Sequence, residues 1–130
     1  MSYSQPATIV TYTFPAMNFV SGAGAYAIKA PPGVENGRVD QIHLRATTTF
    51  TATTTAAKAQ LGISGAAAKY AEVPLGTLAA GASLSNTKAQ RTAAGERIRV
   101  EDGDTLLTLV APTGGSPAGV ADVQVTIAWF

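Results

Sequence analysis

The chain has 130 residues, 46% hydrophobic and 13% charged, and its nine Lys and Arg against eight Asp and Glu leave a formal net charge of +1. That length fits a single domain with one core, the composition excludes disorder driven by high charge and low hydrophobicity, and the charge balance excludes a general nucleic-acid binder. Cysteine is absent, which excludes disulfides, thiolate metal sites and a cysteine nucleophile.

Residues 1–7 form a short polar arm, and residues 8–130 are expected to make the domain. Residues 1–6 lack the basic start and apolar run of a secretory signal, and no stretch nears the ~20 apolar residues of a membrane span. The expected product is soluble, made in the cytoplasm, and has no membrane partner. Residues 8–14 alternate, with Val10, Tyr12 and Phe14 in one phase and Thr11 and Thr13 in the other, and read as a strand that stops at Pro15. Ile9 falls in the polar phase, which makes it a covered edge position or an interface contact. Gly22, Gly24, Pro31, Pro32 and Gly33 then leave room only for short strands around Phe19, Val20, Tyr26 and Ile28.

Asn36 and Gly37 read as a turn. From Val39 a long strand follows, with Ile42, Leu44, Ala46, Thr48 and Phe50 on one face and His43, Arg45, Thr47, Thr49 and Thr51 on the other. Ala57, Ala59, Leu61 and Ile63 alternate with Lys58, Gln60 and Gly62 up to a break at Ser64 and Gly65. Residues 66–71 have the composition of one helical turn, but Pro74 and Gly76 bar a longer helix, and residues 70–78 read as extended. Residues 81–94 read as a polar loop with at most a weak strand. Residues 97–101 alternate again, and Asp102, Gly103 and Asp104 turn the chain into residues 105–111.

Residues 105–111 are apolar in both phases, Leu107 and Leu109 on one side and Leu106 and Val110 on the other, so both faces need cover. A loop of prolines and glycines over residues 112–119 leads to the terminal strand. There Ala121, Val123, Val125, Ile127 and Trp129 form a stripe for the core, and Phe130 lies in the opposite phase. The sole Trp in this stripe places the C-terminal strand inside the fold. Seven or eight short strands without a helix predict an all-β protein, an antiparallel β-sandwich of jelly-roll type.

The chemical inventory is thin. His43 is the single histidine, so acid-base or Ser/His/Asp chemistry has to use it, yet alternation puts it on a polar strand face. Glu101, Asp102 and Asp104 fall short of the roughly six to eight oxygens calcium takes and fit an ordinary turn. The run Gly22, Ala23, Gly24, Ala25, Tyr26, Ala27 matches a loose dinucleotide fingerprint, but Pro31 and Pro32 forbid the helix it needs. Lys88, Arg91, Arg97 and Arg99 form the one basic concentration, read as a solvated strand edge, a contact for an acidic partner or, least, a phosphate site. Gly114, Gly115 and Gly119 lack the Lys of a phosphate cradle. No catalytic residue, cofactor or metal is expected. The charged share, about half of the usual ~25%, fits faces that other proteins cover.

Taken together, Thr47 to Thr55, then Ala59, Gln60, Leu61 and Gly62, then Lys69, Tyr70 and Ala71, then Leu75 through Gly81, and the run from Pro112 through Asp122 and Val123 to the aromatic end resemble the small structural proteins of tailed bacteriophages. The resemblance is to the capsid decoration, or cement, proteins and covers most of the chain from Val39 onward. It implies a jelly-roll or sandwich domain on the outer surface of a virion, made in the host cytoplasm. It also implies a homotrimer with the major capsid protein as partner. Function would then lie in surfaces, with Ile9, Phe19, Leu107, Leu109 and Phe130 as candidate contacts to a neighbouring subunit or the capsid. The alternative is a receptor- or carbohydrate-binding module of a fibre or tail that uses Tyr3, Phe19, Tyr26 and Tyr70 against sugar faces.

Overall fold

The structure is a computed structural model that describes residues 8–86 and 97–130. The expected arm over residues 1–7, including Tyr3, and the positions of Lys88, Gln90 and Arg91 lie outside the described residues. Among the described residues nine strands are found: β1 (Thr8–Asn18), β2 (Gly24–Ile28), β3 (Asn36–Thr51), β4 (Ala57–Ile63), β5 (Ala66–Gly76), β6 (Ser83–Ser85), β7 (Ile98–Arg99), β8 (Thr105–Val110) and β9 (Ala118–Trp129). They form two antiparallel sheets, one in the order β1-β9-β3-β6 with β7 also on β3, the other in the order β2-β8-β4-β5. Successive strands mostly alternate between the sheets and the last strand lies beside the first, which is jelly-roll connectivity. The ninth strand, beyond the seven or eight expected, is the two-residue β7.

The terminal strand lies between β1 and β3. Its stripe is buried throughout, with Ala121, Val123, Val125 and Ile127 at 0% exposure and Trp129 at 1%. From the facing sheet Leu61, Leu107, Leu109, Ala59 and Val73 complete the core. The Trp129 indole N–H donates to the Tyr12 hydroxyl at 2.9 Å, and that hydroxyl donates to the Lys29 carbonyl at 2.6 Å, so the polar edge of the buried ring is satisfied.

Several local readings are corrected. Pro15 does not end β1: the register on β9 slips between Phe14 and Met17, with Ala16 at φ 50°, and the strand continues to Asn18. Proline is tolerated there because β1 is an edge strand with a bulge. Asn36 and Gly37 are not a turn but the first two residues of β3, paired with Arg99 and Ile98 on one side, while Gly37 also pairs with Trp129 on the other. A glycine is required because a Cβ at residue 37 would stand 2.7 Å from Cε3 and 2.8 Å from Cζ3 of Trp129.

Within β3 the register on β9 slips between Val39 and Gln41, which lets Val39 and Ile42 both face the core. Further slips around Thr48 turn that residue outward, against the expected inward phase. Residues 66–71 hold no helical turn. The two residues Ser64 and Gly65, the latter at φ 84°, fold β5 back on β4 as a hairpin, and sheet pairing overrides the helical preference of alanine. Val100–Asp102 is a single 3-10 turn, so the strand expected over residues 97–101 shortens to β7.

Candidate interaction surface

Alternation gives each sheet one face for the core and one for the exterior, and the two exteriors differ in chemistry. On the first sheet the outward residues of β1, β9 and β3 include Thr11, Thr13, Gln124, Thr126, Gln41, His43 and Arg45. They are cross-linked: Thr11 and Thr126 hydroxyls lie 3.1 Å apart, the Gln41 amide donates to Ser85 Oγ at 3.2 Å, and His43 Nδ1 lies 2.9 Å from the same oxygen. His43 thus meets a serine, but on an open strand face, and neither residue lines any of the clefts described below.

The second sheet presents a different exterior. Three cross-strand rows run over it: Ala27, Leu106 and Gly62; Ala25, Thr108, Gln60 and Glu72; and Val110, Lys58 and Pro74. Leu106, Thr108 and Val110 are half-buried and Ala25, Ala27 and Pro74 are exposed. Charge on these rows is limited to Lys58 and Glu72, which pair at 3.6 Å, while Gln60 donates to the same carboxylate at 2.9 Å. The face is nearly neutral because its two charges oppose each other, and at one end of the Leu106 row the Ala66 and Ala67 backbone at the start of β5 lies over Gly62.

The five candidate contacts separate. Phe19 is fully buried, packed edge-to-face on Phe50 with ring centroids 5.0 Å apart. Leu107 and Leu109 are at 0% and 2% exposure because they are the inward phase of β8. These three hold the core of their own chain, which corrects their assignment as contacts. The outward phase of the same strand, Leu106 and Val110, is half-buried in the single chain. Periodicity exposed both phases of β8 but carried no sign of which one faced in. Ile9 is 65% exposed on the edge strand β1, and Phe130 is 41% exposed. The Phe130 backbone is fixed: its carbonyl accepts from the Glu35 and Asn36 N–H groups at 3.1 and 2.9 Å, and its N–H donates to the Asn36 carbonyl at 3.0 Å.

Beside Phe130, a cleft of about 510 Å³ is lined by Val34, Glu35, Asn36, Arg97, Arg99 and Val100, with Glu101. Arg99 pairs with Glu101 at 3.4 Å on the exposed surface, so of the expected basic concentration the described part is half neutralised. Lys69 likewise pairs with Asp102 at 3.3 Å, and among the described residues no group of three or more acidic or histidine side chains could hold a metal ion. The run from Gly22 to Ala27 leads into strand β2 and opens no helix, so it has no phosphate-binding helix terminus.

Among the described residues expected for it, Phe19, Tyr26 and Tyr70, the aromatic platform of a sugar-binding module does not assemble. Phe19 and Tyr70 are buried, and half-buried Tyr26 donates its hydroxyl to the Gly22 carbonyl. A scan of protein-family models finds none that matches the chain, and a search of curated proteins returns no match.

Proposed function

We propose that the chain is a non-enzymatic virion structural protein that binds the outer surface of a phage capsid and stabilises it, acting as a homotrimer with the major capsid protein as partner. The reading starts from the resemblance to decoration proteins. The observation that carries it is the contrast between the two exteriors: a polar, internally hydrogen-bonded face on the first sheet and a nearly neutral face around Leu106 and Val110 on the second. A face of this kind loses little hydration when it is covered. It is the surface assembly would cover, and many copies would add their binding free energies to the lattice by mass action.

Undecorated heads mixed with the purified protein and sedimented provide the test. The protein is expected in the pellet at a fixed ratio to capsid protein. Protein left in the supernatant contradicts the proposal. The absence of an aromatic platform among Phe19, Tyr26 and Tyr70 weighs against the carbohydrate-binding alternative.

A further inference from the structure

We infer that the free edge of β1, over residues 8–14, is an interaction surface for a second copy of this chain, paired antiparallel about a two-fold axis through Thr11. Among the described residues β1 is hydrogen-bonded to β9 and to no other strand, so one row of its backbone donors and acceptors faces outward. The other sheet edges carry the features that blunt such rows. Strand β2 has five residues, β6 has three and β7 has two, while the eleven-residue β5 contains Lys69, Glu72 and Pro74. By contrast, residues 8–14 read Thr, Ile, Val, Thr, Tyr, Thr, Phe, without charge, proline or glycine. Pro15 and the bulge at Ala16 bound the stretch at its end.

The occupant follows from the order of these residues. Folding the stretch on itself about Thr11 places Thr8 opposite Phe14, Ile9 opposite Thr13, Val10 opposite Tyr12 and Thr11 opposite Thr11. Aromatic with β-branched and Thr with Thr are the favourable cross-strand pairs, and no like charges meet. Residues of one phase face one side in both copies, so the core-facing and outward-facing rows both stay continuous across the axis.

Packing points to the same edge. Val10, Tyr12 and Phe14 face the core yet are half-buried, whereas Val125, Ile127 and Val123, their neighbours on β9, are at 0% exposure. The sandwich is open along β1, and a second β1 would close it while covering Ile9, which is 65% exposed. The contact is separate from the neutral face of the second sheet and does not depend on what that face binds.

Sedimentation velocity on the full chain at micromolar concentration tests the inference. The native mass is expected to be an even number of chains: six when the trimers proposed above pair through this edge, whereas two would overturn the trimer and leave this contact standing. Thr11→Lys, on the exposed outward phase, places two like charges opposite each other and is expected to halve that mass with the circular dichroism spectrum unchanged. Mixing Thr11→Lys with Thr11→Glu should restore the native mass. Because the chain has no other cysteine, Thr11→Cys should give a disulfide-linked dimer on a non-reducing gel, since opposed Cα atoms across a strand pair lie within disulfide reach. An odd number of chains in the native protein overturns the inference. A Thr11→Lys mass equal to the native one, or failure of Thr11→Cys to cross-link, overturns it as well.

Discussion

Gly37→Ala tests how the terminal strand is seated. Gly37 has a negative φ, so alanine fits its backbone, and in the absence of a neighbour the change stabilises by about 0.4–1 kcal/mol through the unfolded chain. The new Cβ, however, would stand 2.7 and 2.8 Å from two ring carbons of Trp129 and 3.3 Å from Ile127 Cγ2. Overpacking of this kind costs about 1–3 kcal/mol, so a net loss of about 1–2 kcal/mol is expected. Trp129→Ala alone removes a ring at 1% exposure and its 2.9 Å bond to Tyr12, at a cost of about 3–5 kcal/mol. In that background the ring is gone, and Gly37→Ala should become neutral or stabilising, a coupling of about 1–3 kcal/mol in the double-mutant cycle. Urea unfolding followed by far-UV circular dichroism measures all four proteins without relying on the lost tryptophan. An equal cost of Gly37→Ala in both backgrounds would refute the packing argument and return the glycine to a turn.

Two further predictions concern the phenols of buried Tyr70 and half-buried Tyr12. The Tyr70 hydroxyl is buried and has no hydrogen-bond partner among the described residues; Tyr70→Phe is therefore expected to raise stability by about 1 kcal/mol, and a loss would mean the hydroxyl is satisfied. Burial raises the Tyr12 pKa above 10.0, partly offset by the Trp129 bond, and burial followed by the Asp102 charge raises that of Tyr70. Folding thus favours both neutral phenols, a contribution fully present below pH 10 and lost as pH rises through the higher folded values. The unfolding midpoint should fall in alkali, and Tyr12→Phe or Tyr70→Phe should make that fall shallower; an unchanged slope in both variants would contradict the assignment.

Much of the fold is legible in the chain because half-buried strands impose a period of two. The stripe from Ala121 to Trp129, the outward turn of Phe130, and the alternation of β3 and β4 all follow from it. The misreadings arise where a distant partner overrides a local signal. Asn36 and Gly37 have turn chemistry, but the small residue is demanded by the Trp129 ring. Residues 66–71 have helical composition, but pairing with β4 holds them extended. Pro15 lacks a donor, yet at an edge bulge none is needed.

The exposure of the candidate contacts is half legible in the chain. Ile9 and Phe130 were out of phase with their strands and are exposed. Phe19 follows β1 in a turn without periodicity, and its burial is decided by Phe50 from β3. For β8, two apolar phases signalled two covered faces, but only the positions of the neighbouring strands assign Leu107 and Leu109 inward and Leu106 and Val110 outward.

The central claim is that assembly covers the neutral exterior of the second sheet, and sedimentation with undecorated heads tests it most directly when two charge substitutions are compared. Leu106→Glu introduces a carboxylate between Ala27 and Gly62, whereas Gln124→Glu adds the same charge to the opposite exterior beside Thr13 and His43. The native chain and Gln124→Glu are expected to pellet with the heads and Leu106→Glu to remain in the supernatant. Pelleting of folded Leu106→Glu to the native extent would contradict the account.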